Sequence, residues 1–71
     1  MKLHDMKIGQ SATVSGTLLR QDTTRRLEML GLTGGTQIKL LNKKRSGAVI
    51  VKLRGTRYAF GREIAEMVEV N

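Results

Sequence analysis

Residues 36–54 read TQIKLLNKKRSGAVIVKLR and contain two segments in which apolar and polar side chains alternate. This two-residue period is typical of strands that bury one face. It places Ile38 and Leu40 on the buried face of the first segment, and the β-branched run 48–54 forms the second, with Val49, Val51 and Leu53 on one face. The polar loop 42–47 between them ends in glycine. We therefore expect an antiparallel hairpin with a long basic tip.

The sequence on either side of this hairpin predicts further strands and two short helical segments. These are strands at 12–19, 57–60 and 67–70, a helix within 22–30 and one helical turn at 61–66. Gly16 lies inside the first strand and indicates a bend or a bulge. In the helix, Leu27 and Leu30 are three residues apart and are expected to share a face. Gly31 then ends the helix in a left-handed conformation.

The predicted fold is an all-β single domain covering residues 1–71. About five short strands, in a chain too small for a two-sheet sandwich, close most economically into a small barrel. Closure would also remove the exposed strand edges that promote aggregation. We expect one short α-helix after the first strand and one helical turn before the last.

The composition indicates a basic protein that works by binding. Thirteen Lys and Arg residues against six Asp and Glu give a net charge of +7. Such a charge attracts nucleic acid, acidic lipid or an acidic protein surface, although it also serves solubility. The sequence has no membrane-length apolar run and no apolar stretch of the kind that a signal peptide needs. We therefore expect a cytoplasmic protein.

Catalytic and metal chemistry find little support in the residue types present. There is no cysteine, which excludes disulfides and thiolate metal sites. The one histidine, His4, has no serine or carboxylate partner spaced as in a catalytic triad. Glu63 and Glu66 are one helical turn apart, a spacing more typical of a solvated helix face than of a metal site. We therefore predict a protein that is not an enzyme, with no catalytic, cofactor-binding or metal-binding residues.

Exposed cations and outward apolar residues are the candidates for partner binding. One cluster surrounds the start of the predicted helix, and a second occupies the hairpin tip and the outer faces of its strands. The candidates are Leu19, Arg20, Arg25, Arg26, Leu41, Lys43, Lys44, Arg45 and Ile50. A tip with three consecutive cations repels itself, and an anionic partner would relieve that repulsion.

The order of these features resembles the ferrous iron transport protein A family, the FeoA domain. The matching stretch is RRLEMLGLTGGTQIKLLNKKRSGAVIVKLRGTRYAFGREIAEMVEV, residues 25–70, preceded by the opening MKIGQSATVSG. The family often has proline where Gly34 stands, whereas this chain contains no proline. The difference falls in a loop, so we expect a softer loop and the same fold.

The resemblance implies an SH3-like β-barrel that accompanies the ferrous iron transporter, a membrane protein with a cytosolic GTPase domain. The chain would then be an accessory module that binds this transporter on its cytosolic side and reaches the membrane only through it. No small-molecule substrate is implied. Two alternatives stay open: a small barrel that binds nucleic acid, favoured by the charge, and a module that senses transition metals, favoured by the family analogy.

Overall fold

The computed structural model describes residues 1–17 and 20–71, which are mostly β-structure. In these residues the chain forms the strands β1 Ser11–Thr17, β2 Gln37–Lys43, β3 Val49–Leu53, β4 Thr56–Phe60 and β5 Val68–Val70. The helices are a 3₁₀-helix at Leu3–Asp5, α1 at Gln21–Met29 and α2 at Arg62–Met67.

The five strands form one antiparallel sheet in the order β4-β3-β2-β1-β5. Within the described residues, the outer strands β4 and β5 are not paired with each other, so the prediction of a closed barrel is wrong. Helix α2 joins these two strands in place of a hairpin turn. The outer edge of β5 pairs instead with the first residues of the chain, where the Val70 amide donates to the Met1 carbonyl at 2.8 Å.

The α-helices follow the predicted order along the chain, but their bounds differ from the prediction. Helix α1 begins at Gln21, and its N-cap is Arg20, which makes no side-chain capping bond. It ends before Leu30, which is 42% exposed and does not share the buried position of Leu27. Helix α2 is longer than one turn, and the 3₁₀-helix was not predicted. No helix in residues 1–17 and 20–71 is long and apolar enough to cross a membrane.

The core is one cluster of mostly aliphatic side chains from the inner face of the sheet and from the helices and loops that cover it. Its members are Leu3, Met6, Ala12, Val14, Leu27, Leu32, Ile38, Leu40, Val49, Val51, Leu53, Phe60, Ala65, Val68 and Val70. The predicted alternation in β2 and β3 is confirmed, since Ile38, Leu40, Val51 and Leu53 are all nearly or fully buried. The bulge predicted at Gly16 is confirmed as well, because the register of β1 against β5 shifts between Val14 and Gly16.

An ion pair fastens the start of the chain to β5. The Lys2 ammonium donates to the Glu69 carboxylate, and this bond holds the pKa of the Glu69 carboxyl below its ordinary value. A carboxyl with a lowered pKa in the folded state adds stability above its ordinary pKa, and that stability is lost as the pH falls through the lowered value.

We expect Glu69→Gln to lower the urea midpoint slightly at about pH 7, and we expect the difference from the parent chain to shrink as the pH falls below the ordinary pKa of a glutamate. Denaturation curves across this range check the prediction. The control is Glu28→Gln, because Glu28 is exposed and has no cation partner within the described residues. A Glu69→Gln difference that persists unchanged at low pH would contradict the role of this ion pair.

Candidate partner-binding surface

Three cations form a row across the outer face of the sheet. Lys39 of β2 lies directly opposite Lys52 of β3, and Lys52 lies directly opposite Arg57 of β4. All three side chains are exposed. Within the described residues, none of the three is in an ion pair. Residues that face each other across strands have Cβ atoms about 5 Å apart, and like charges at that spacing destabilise a sheet.

Less polar side chains lie beside this row on the same outer face. Ile50 is two residues from Lys52 in β3 and therefore points to the same side of the sheet. Its partner in β4 is the exposed Ala59. Toward β2, the pairing register between β3 and β2 shifts at Leu41. Leu41 and Ile50 are both half-buried. We call this surface the basic sheet face, defined as Lys39, Leu41, Ile50, Lys52, Arg57 and Ala59.

The hairpin tip is shorter than predicted, because β2 continues through Lys43. The Lys44 amide donates to the Ala48 carbonyl at 2.8 Å, and the Gly47 amide donates to the Lys44 carbonyl at 3.0 Å. Gly47 has a φ of +95°, a conformation that glycine adopts without steric cost. Lys43, Lys44 and Arg45 are all exposed, so the predicted concentration of cations at the tip is present.

The cations around α1 form a separate group. Arg20, Arg25 and Arg26 are exposed, and the Arg20 guanidinium lies 3.8 Å from the Asp22 carboxylate. Helix α1 borders a cavity of about 250 Å³ that it shares with β1, whereas the tip borders a different cavity beside α2. Leu19 lies outside the described residues. The candidate residues from the sequence are therefore divided among three places, and only Leu41 and Ile50 belong to the basic sheet face.

Potential metal ligands do not converge in the described part of the chain. No group of three or more His, Asp or Glu side chains is close enough to hold an ion there. His4 lies beside Asp5, with 3.5 Å between Nε2 and Oδ1, and both side chains are about half exposed. Two adjacent exposed ligands fall short of the three or four that a stable site requires.

Sequence reasoning missed the row formed by Lys39, Lys52 and Arg57. The two-residue period does place Lys39 and Lys52 on the outer face, but it does not show that they lie opposite each other. Their alignment depends on the pairing register of three strands, and Leu41 interrupts that register between β2 and β3. A direct opposition of three cations is therefore visible only in the folded sheet.

Comparison with known proteins places this sheet in a family. The FeoA domain model matches residues 1–71. The chain belongs to the FeoA family. A comparison with curated proteins gives no significant match.

Solved FeoA structures share the fold over nearly the whole chain. FeoA protein from Chlorobium tepidum is 32% identical with a TM-score of 0.92, covering 100% of this chain and 69% of that one. An iron uptake regulatory protein (FeoA) is 30% identical with a TM-score of 0.87, covering 99% of this chain and 92% of that one.

A third FeoA structure, from Stenotrophomonas maltophilia, was solved in complex with zinc. It is 29% identical, has a TM-score of 0.83, and covers 100% of this chain and 89% of that one. That protein is described as an SH3 domain protein with a suggested role as a ferrous iron transport activating factor. The resemblance noted from the sequence is therefore confirmed at the level of the family.

Proposed function

We propose that this FeoA-family chain is a cytoplasmic, non-catalytic accessory protein of ferrous iron uptake. Its partner is the ferrous iron transporter, and it binds the cytosolic, GTPase-bearing part of that membrane protein. The docking surface is the basic sheet face, which fits an acidic protein surface. The observation that carries this proposal is the row of Lys39, Lys52 and Arg57, none of which has an ion-pair partner in the part of the chain that the structure describes.

The row of cations indicates a binding partner because it destabilises the folded state of the free protein. Two successive pairs of like charges across neighbouring strands destabilise the sheet in the free protein. An acidic surface laid over the row would neutralise this repulsion and add attraction of its own. Leu41 and Ile50 beside the row supply apolar area, which interfaces combine with charged and polar rims. The combination fits a folded protein surface with carboxylates around an apolar centre.

Nucleic acid is the weaker alternative because stacking surfaces are missing. The chain contains two aromatic residues, Tyr58 and Phe60. Their rings stack on each other with centroids 6.0 Å apart, Phe60 is buried, and Tyr58 packs against the core. Proteins that bind single strands without sequence preference present exposed aromatic faces to the bases. Here both rings are committed to the inner side of the sheet.

A titration of the purified chain with the purified cytosolic region of the transporter tests the proposal. We expect saturable binding by calorimetry at about 50 mM salt, and weaker binding at about 300 mM because exposed charges are screened. No binding at the lower salt would overturn the proposed docking. Parallel titrations with RNA and DNA decide the alternative, because phosphate contacts produce a steep linear fall of log affinity with log salt. Tighter binding to nucleic acid than to the transporter region would also count against the proposal.

A further inference from the structure

A cleft of about 250 Å³ lies where the hairpin tip meets α2 and the 3₁₀-helix. Its lining includes His4, Lys43, Lys44, Gly47, Arg62 and Glu66. We propose that this tip cleft binds an oxyanion of the phosphate class. The proposal is independent of the docking surface, because none of the residues of the basic sheet face lines the cleft.

Charge is the first reason to expect an anion there. Lys43, Lys44 and Arg62 bring three fixed positive charges to one concave site, and Glu66 is the one carboxylate in its lining. Glu66 accepts a hydrogen bond from Arg62 Nε at 2.9 Å, so it offsets one of the three charges. Within the described residues, neither lysine is in an ion pair. The lining therefore has an excess of two positive charges before His4 is counted.

Donor geometry is the second reason. A guanidinium has five N–H donors in a fixed plane, and the bond to Glu66 is the one that Arg62 makes within the described residues. Its remaining donors are free to face the cleft. Planar guanidinium donors together with mobile lysine ammonium groups form the set of side chains that proteins use for phosphate.

Packing holds this arginine against the tip. A Cβ atom at Gly47 would lie 2.7 Å from Arg62 Cγ and 2.8 Å from Arg62 Cδ, so the aliphatic part of the arginine rests where only glycine leaves space. The close contact ties α2 to the turn and brings the Arg62 guanidinium to the same site as Lys43 and Lys44. An arginine whose stem is held before the ligand arrives loses less entropy on binding than a free one.

An NMR titration of the isotope-labelled full chain tests the proposal, with inorganic phosphate as the probe and chloride holding the ionic strength constant. We expect saturable shifts at the amides of Lys44, Gly47 and Arg62. Two variants test the site. Arg62→Met retains an apolar stem over Gly47 and removes the positive charge. Lys44→Gln removes the positive charge of an exposed turn residue. Each is expected to weaken phosphate binding about tenfold, the loss typical of a charge-assisted hydrogen bond.

The matched control is Arg45→Gln, which removes an exposed cation from the same tip but from outside the cleft lining. We expect this variant to bind phosphate within about twofold of the parent chain. Equal losses in Arg45→Gln and Lys44→Gln would overturn the proposal, because they would show general attraction to a basic surface. Shifts that spread to Lys39 and Lys52 without saturating would overturn it as well.

A second arm with adenosine monophosphate distinguishes two sources of the same chemistry. Binding no tighter than that of inorganic phosphate would assign the cleft to the phosphate group alone. Tighter binding that is still weakened by Arg62→Met would assign it to a phosphate carried by a nucleotide. Adenosine monophosphate binding that is unaffected by both cleft variants would count against the cleft as the site.

Discussion

Replacing Leu40 by alanine is expected to lower the free energy of unfolding by about 2 to 5 kcal/mol. Leu40 is fully buried in β2, the central strand of the sheet. Its amide donates to the Gln10 carbonyl at 2.9 Å, and its carbonyl accepts from the Gly9 amide at 2.7 Å. On its other side Leu40 pairs with Val51 of β3, so the strand lies between two neighbours and cannot easily move to fill the cavity.

The relative effect is large because the domain is small. A chain of 71 residues has a total stability of roughly 4 to 11 kcal/mol at the usual contribution per residue. Its core is one small, close-packed cluster, so a cavity at Leu40 removes contacts from a large part of it. Urea denaturation followed by circular dichroism measures the loss.

Leu30→Ala is the matched control for this prediction. It makes the same chemical change at a leucine that is 42% exposed and lies beyond the end of α1. We expect a change within about 1 kcal/mol there. Similar losses at the two leucines would contradict the assignment of Leu40 to the centre of the core.

The sequence predicted the buried faces of the strands well because that information is local. Alternation assigns Ile38, Leu40, Val51 and Leu53 to one side of the sheet wherever the strands run, and all four are buried in the fold. The bulge at Gly16 was equally predictable, because a glycine within a strand usually marks a bend or a bulge. These predictions needed no knowledge of which strands are neighbours.

Closure of the barrel was mispredicted because strand pairing is not local. Short strands and few residues favour closure in general, but α2 joins β4 directly to β5 and leaves them unpaired. The edge of β5 is covered instead by Met1 and Lys2, which belong to a segment that had no strand pattern. The length of α1 was missed for a related reason: Leu30 fits the helical spacing, yet the helix ends one residue earlier.

The same limit applies to the candidate sites. The sequence located the cations of the tip, but it could not show that Arg62, fifteen residues after Gly47 in the chain, lies against that glycine. It located Leu41 and Ile50 as outward residues, but it could not align Lys39, Lys52 and Arg57. Both surfaces arise from contacts between different secondary-structure elements. The residue pattern within one element does not predict such contacts.

The second large effect is expected at the centre of the cation row. Lys52→Glu is expected to weaken binding to the cytosolic region of the transporter at least tenfold, because it places a like charge against an acidic partner. In the free protein the same change puts a carboxylate between Lys39 and Arg57, its two cross-strand neighbours. Opposite charges at such positions stabilise a sheet by about 0.2 to 1 kcal/mol per pair. Stability should therefore rise slightly while binding falls.

Two controls separate a local effect from a change in net charge. Lys7→Glu alters the net charge by the same amount at an exposed lysine outside the basic sheet face, and we expect it to change affinity by no more than about threefold. Arg25→Glu makes the matching change on α1, where the sequence placed another group of candidate residues. A large loss for Arg25→Glu with none for Lys52→Glu would move the docking surface to the helix and overturn the proposed one.

The opposite directions of the two readouts make the Lys52→Glu experiment decisive. A variant that binds poorly because it is partly unfolded loses stability and affinity together. Lys52→Glu is expected to raise the urea midpoint and lower the affinity, a result that misfolding cannot produce. If instead both stability and binding are unchanged, the row of Lys39, Lys52 and Arg57 neither strains the sheet nor contacts the partner, and the proposed docking surface is wrong.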